Sequence, residues 1–122
     1  MQKISTSIAP KAIGPYSQAI SHNGMLYTSG QIPLDLEGNI VGEDIATQTE
    51  QVITNLGAIL NEAGSDFSKV IKTTCYLADM SLFATFNEVY SKYFVSCPAR
   101  STVAVKSLPK QVLVEIEVVA YI

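Results

Sequence analysis

The closing stretch "QVLVEIEVVAYI", residues 111–122, constrains the fold most. Extended, it places Val112, Val114, Ile116, Val118 and Ala120 on one side and Leu113, Glu115, Glu117, Val119 and Tyr121 on the other, because successive strand side chains point to opposite faces. Both faces carry apolar residues, so this strand belongs inside a sheet covered on two sides. The chain holds only two helical patterns, and two helices suffice to cover one face of such a sheet. The other face needs cover from outside the chain, most simply from copies of itself, and a homo-oligomer is expected.

The first helical pattern runs through Ile45, Val52, Ile53, Leu56, Ile59, Leu60 and Ala63, with Thr49 in the gap, and Gly64 ends it. Asp44 and the Thr47/Glu50 pair, which has capping-box spacing, are equally good starts. The second pattern, capped by Asp79 or Ser81, has an apolar face through Phe83, Phe86, Val89, Tyr90, Tyr93 and Phe94, with Asn87 beside it. Strands are read at "YSQAIS" and "MLYTSGQIP", joined by a tight turn at Asn23-Gly24, and at "KVIKTTCYLAD". "RSTVAV" is a further strand, and "KSLPK", punctuated by Pro109, reads as the turn of a hairpin to the last strand. Pairing Val105 with Val112 there sets Thr102 opposite Glu115 and Arg100 opposite Glu117, all on one face. A slip of one residue would undo this arrangement.

Composition narrows the chemistry. The 122 residues, 48% of them hydrophobic, suit a single domain over 1–122. Eight Lys and Arg against eleven Asp and Glu give a net charge of −3 and leave no basic stripe for a phosphate backbone, which argues against nucleic acid as a partner. No run approaches the roughly 18 to 20 apolar residues of a membrane span, and the N-terminal stretch has no long apolar run, so a cytoplasmic protein is expected. Cys75 and Cys97 lack metal-type spacing and read as reduced thiols. With His22 the single imidazole, zinc sites and serine or cysteine triads are nearly excluded. Carboxylates, hydroxyls, backbone amides and Arg100 are left to do any chemistry.

Arg100, at the head of a strand-like segment, requires a partner. A cross-strand ion pair with Glu117 is one answer, worth about 0 to 1 kcal/mol if exposed. Glu115 on the same face unbalances that set, one arginine against two carboxylates. In the other answer the guanidinium fork holds a ligand carboxylate while a nearby carboxylate positions and activates water, burial raising the pKa of Glu115 toward a useful range. Ser29 has no identifiable base, and "GMLYTSG" does not match a nucleophile elbow. Gly30 reads instead as a place where backbone approaches a ligand closely. Tyr16, after Gly14-Pro15, is a core ring or a hydroxyl donor, and Asn87 reads first as a solvated helix-edge amide.

The stretches "APKAIGPYSQAI", "YTSGQIPLD", "VIKTTCYLADM", "FNEVYSKYF", "PARSTVAV" and "LPKQVLVEIEVVAY" together resemble the reactive-intermediate deaminase family, the RidA or YjgF proteins, over essentially the whole chain. The resemblance implies a chorismate-mutase-like α+β fold, a mixed sheet of about six strands with two helices on one face, assembled as a homotrimer with sites in the clefts between subunits. It implies hydrolysis of 2-imino acids such as 2-iminobutanoate and 2-iminopropanoate to 2-keto acids and ammonia, with no cofactor or metal. Arg100 of "PARS" matches the arginine that holds the substrate carboxylate, and Glu115 matches the carboxylate that handles the attacking water. Tyr16 of "GPYS", Ser29 and Gly30 of "TSGQ" and Asn87 of "FNEVY" match pocket-lining positions. Thr102 falls where many members have cysteine, and its hydroxyl can replace that thiol as a hydrogen-bonding group. The connection "FVSC" is short compared with many members, which bears on preference among imine side chains, and Ala104 and Ser107 stand where acidic and basic residues are frequent. The competing expectation is a module that binds a small carboxylate without turnover. A third is an RNA-directed or chaperone-like role, and the acidic charge opposes the RNA-directed one.

Overall fold

The computed structural model describes all residues, 1–122. Its mixed sheet contains β1 (Gln2–Ile4), β2 (Ala19–His22), β3 (Met25–Thr28), β4 (Val70–Leu77), β5 (Ala99–Ala104) and β6 (Val114–Tyr121), in the spatial order β1-β2-β3-β6-β4-β5. Every neighbouring pair is antiparallel except β4 and β5, which run parallel. Two helices, α1 (Ile45–Glu62) and α2 (Phe83–Tyr93), cover one face. Beneath them Cys75 and Leu77 of β4 and Val114, Ile116, Val118 and Ala120 of β6 join the side chains of Val52, Ile53, Leu56, Ile59, Leu60, Phe86 and Val89 in one core. Each such fully buried aliphatic or aromatic side chain contributes roughly 1.5–3 kcal/mol.

Local signals act as the residue types require. Asp44 caps α1, accepting the Thr47 backbone N–H at 3.0 Å. Asn23 and Gly24 take positive φ values of 51° and 77°, which a tight turn between twisted strands demands. Asp79 caps a short 3-10 turn, Met80–Leu82, that feeds α2 rather than capping the helix itself.

The expected hairpin between β5 and β6 does not form, because β4 lies between them. The connection from β5 to β6 is tied at both ends to the end of β4. Val105 N–H donates to the Leu77 carbonyl at 2.9 Å, and Ala78 N–H donates to the Leu113 carbonyl at 3.0 Å. The cause lies in the order strand, helix, strand: a chain leaving β4 through α2 crosses over and returns parallel to β4, as such crossover units do. The register changes with it. Arg100 pairs with Thr73 and Thr102 with Cys75, while Glu115 pairs with Tyr76 and Glu117 with Thr74. Paired residues share a face. Arg100 and Thr102 therefore lie on the helix-covered face, and Glu115 and Glu117 on the open one. That open face also carries Tyr27, Val103 and Tyr121, exposed by 49%, 46% and 46%, so the second apolar face has no cover within the chain.

Candidate active site

Arg100 enters the sheet behind Pro98 and Cys97, the latter at φ 51°. Its Nη1 donates to Asn87 Oδ1 at 2.7 Å, and its Cζ stands 4.7 Å from the centre of the Tyr90 ring and 5.4 Å from that of Phe83. Phe83, Asn87 and Tyr90 share one face of α2 because residues four and three apart are neighbours on a helix. The helix thus presents an amide acceptor between two π faces, a cradle suited to a guanidinium. No carboxylate is among these partners, and the fork keeps donors for a ligand. Arg100, Asn87, Ser91, Val95, Cys97 and Pro98 border a cleft of about 600 Å³. Two residues along β5, the Thr102 Oγ1 is buried with no hydrogen-bond partner. Its neighbour across the strands, Cys75, is kept as a thiol, because burial pushes its pKa up to about 11.

Glu115 sits on the other face beside Gly30. A Cβ at position 30 would come within 2.8 Å of the Glu115 Cδ, so any larger residue there forces the Glu115 side chain to shift. The pairing is fixed by Gln31, whose N–H donates to the Ile116 carbonyl at 2.9 Å and whose carbonyl accepts from Ile116 N–H at 3.1 Å. Burial pushes the Glu115 carboxyl above the ordinary carboxylate range, and the neighbouring Glu117 charge pushes it the same way. Glu117 accepts from the Tyr76 hydroxyl at 3.4 Å. The Ser29 hydroxyl donates to the Ser17 carbonyl at 2.6 Å, a loop tie rather than a nucleophile's arrangement. The Tyr16 ring is 52% exposed, so it is no core residue; its hydroxyl accepts from Ile13 N–H at 3.4 Å. With Gly30 and Gln31 it lines a second cleft, of about 460 Å³.

In Gly30→Ala the flexible Glu115 side chain moves aside, so melting temperature should change by only a few degrees while any reaction that uses Glu115 slows at least about tenfold. Equal activity in the variant and the parent would show that the carboxylate tolerates displacement.

Within one chain, then, the sequence-derived site residues fall into two groups. Arg100, Asn87 and Thr102 belong to the helix face; Glu115, Gly30, Ser29 and Tyr16 belong to the open face and its margin. The ion pair between Arg100 and Glu117 does not exist, because the two strands are not neighbours.

Residues 6–122 match the family described as Endoribonuclease L-PSP. The chain belongs to the YjgF/RidA family. This RidA-family chain is 59% identical to a Lactococcus lactis protein whose name describes a regulator, AldR, over 98% of this chain and 97% of that protein. It is 49% identical to the human 2-iminobutanoate/2-iminopropanoate deaminase, over 96% of this chain and 87% of that one. Among solved structures, E. coli TdcF with bound serine superposes with a TM-score of 0.94 at 40% identity, covering 100% of this chain and 99% of that one. The six-stranded mixed sheet with two helices is the architecture expected for a RidA-family chain. What sequence reasoning missed is the role of Tyr90 and Phe83, read as core rings alone. Their spacing around Asn87 held the signal that all three face the same strand end.

Proposed function

We propose that the protein hydrolyses small 2-imino acids, 2-iminobutanoate and 2-iminopropanoate among them, to 2-keto acids and ammonia in the cytoplasm, at sites built between the subunits of a homotrimer. The observation that carries this reading is the division just described: an arginine without a carboxylate partner on one face and a carboxylate with a raised pKa on the other. A second copy packed on the open face would supply the cover that Tyr27, Val103 and Tyr121 lack and would bring one chain's Arg100 to another's Glu115. No metal or cofactor takes part in this scheme.

Arg100 holds the substrate carboxylate through its fork, with Asn87 fixing the guanidinium. Tyr16 and the Gly30 backbone shape the pocket beside Glu115, and Ser29 ties the pocket's loop. Glu115 takes a proton from water as its oxygen bonds to the C=N carbon. It returns that proton to nitrogen to give the carbinolamine, then takes the carbinolamine hydroxyl proton and passes it to the amine as the C=O bond forms and the C–N bond breaks, releasing ammonia and leaving the 2-keto acid. Thr102 lies two residues along β5 from Arg100 on the same face, its hydroxyl buried beside the Cys75 thiol. Imines already hydrolyse in water, and a positioned general base contributes on the order of 10² to 10⁴, enough for such a reaction.

The test generates 2-iminobutanoate in place with a threonine dehydratase and traps it with semicarbazide. Protein that diverts imine from the trap to 2-ketobutanoate and ammonia, with Arg100→Ala inert, supports the reading. No diversion of either imine would sink it. The second reading, a module that binds a small carboxylate without turnover, is favoured by the regulator name of the Lactococcus relative and the serine in the TdcF structure. Binding of 2-ketobutanoate without diversion would establish it. A net charge of −3 offers little to a phosphate backbone, which counts against an endoribonuclease role for this chain.

A further inference from the structure

Resting on that reading of Arg100, the geometry points to Tyr90 as a positioning residue for the substrate carboxylate, holding the guanidinium through a buried hydroxyl contact that ends on β4. Thr73 and Arg100 are partners across β4 and β5 on the helix face. Tyr90 comes down from α2 onto both. Its hydroxyl lies 2.7 Å from Thr73 Oγ1 and its ring centre 4.7 Å from Arg100 Cζ.

Thr73 is fully buried, and its Oγ1 also accepts from the Cys75 thiol at 3.9 Å. A buried polar pair is costly unless hydrogen-bonded, and valine opposite phenylalanine would fill this part of the core with no such cost. What the hydroxyl pair adds is a fixed depth and rotation for the Tyr90 ring. Phe94, stacked on it at 4.3 Å with planes 23° apart, and Phe86, at 5.7 Å, hold the ring further. Burial also pushes the Tyr90 phenol above its ordinary value, so the ring offers Arg100 a neutral π face rather than a phenolate that would compete with a substrate carboxylate. Asn87 fixes one nitrogen of the fork and Tyr90 fixes its plane. A long, flexible side chain ordered before binding loses less freedom when the ligand arrives, which matters most for a ligand with few atoms to contribute contacts.

Arg100 is the chain's single arginine, so its side-chain ¹⁵Nε signal identifies itself. In the assembled wild-type protein the Nε order parameter should be near the rigid limit of about 0.85, and it should drop below about 0.6 in Tyr90→Leu, with Tyr90→Phe and Thr73→Val between. In the same variants the Kd for 2-ketobutanoate should rise about three- to tenfold or more, the KM for imine should rise with kcat nearly kept, and the neutral 2-ketobutanamide should bind unchanged. Tyr90→Leu added to Arg100→Ala should cause no further loss. A rigid Arg100 in all three variants overturns the proposal, as does equal weakening of acid and amide, which would mark a merely structural role. Wild-type protein that neither binds 2-ketobutanoate nor turns over imine would fail the deaminase reading instead, and the order parameter would still report whether Tyr90 holds the guanidinium.

Discussion

Arg100→Ala is expected to lower kcat/KM for imine hydrolysis by about 10²- to 10⁴-fold. Two charge-assisted hydrogen bonds to the substrate carboxylate are lost, each worth about 1.5–3 kcal/mol. The fold should survive, because the guanidinium is held by an amide and two rings rather than by a buried ion pair. Thermal melts of the variant check the second half of this expectation, and the trapping assay checks the first. Arg100→Lys keeps the charge yet loses the planar fork and the stacking, so it should recover little. Activity in Arg100→Ala within a few-fold of the parent would remove the arginine from the mechanism. Mixing is the sharper form of the same experiment. Arg100→Ala and Glu115→Gln, each inactive, should regain about a quarter of parental activity when unfolded together and co-assembled in equal amounts, since a site between copies needs one intact half from each. Sites confined within single chains would regain none.

Glu115→Gln is expected to lower kcat by about 10²- to 10⁴-fold, the usual contribution of a general base. The pH dependence carries the independent check. The active carboxylate accumulates as pH rises through the Glu115 pKa, which burial and then Glu117 raise from the ordinary value near 4.5 and a partner copy's Arg100 opposes, so the acid limb of kcat/KM is set by this group. Glu117→Gln removes the smaller cause and should move the limb downward without bringing it fully back, because burial remains. Stability follows the opposite sense. The folded carboxyl holds its proton more tightly than the unfolded chain does, so this group's stabilising contribution is present below about 4.5 and is lost as pH rises through the raised folded value. Glu115→Gln should therefore melt higher than the parent at pH 7 and show no such advantage at pH 4. An acid limb unmoved by Glu117→Gln would detach Glu115 from the rate-controlling proton.

Much of this was legible in the sequence because the signals are local. The Asn23-Gly24 turn, the stripe of α1 ended at Gly64, and the two-faced apolar pattern of the last strand each depend on residues within one element, and each lies where its pattern says. The pairing of β5 was not legible from those patterns. Two strands joined by a short connection containing proline suggest a hairpin, while a strand, a helix and a strand suggest a parallel crossover. The two readings conflict over the same residues, and the crossover won because β4 pairs along both edges. That single error placed Arg100 beside Glu117 and made an ion pair of groups that face opposite ways. The individual site residues could be read because their types carry chemistry. Their partners could not, since the contacts of Arg100 with Tyr90 and of Glu115 with Gly30 depend on how distant segments meet.

The distribution of Arg100 and Glu115 over two sides of one sheet has a consequence for when catalysis begins. If the site forms between copies as proposed, a solitary chain can reach its complete fold, with every core residue buried, and still hold no working pocket. Competence would then be governed by mass action among folded chains rather than by folding, so dilution alone would silence the protein without unfolding any of it.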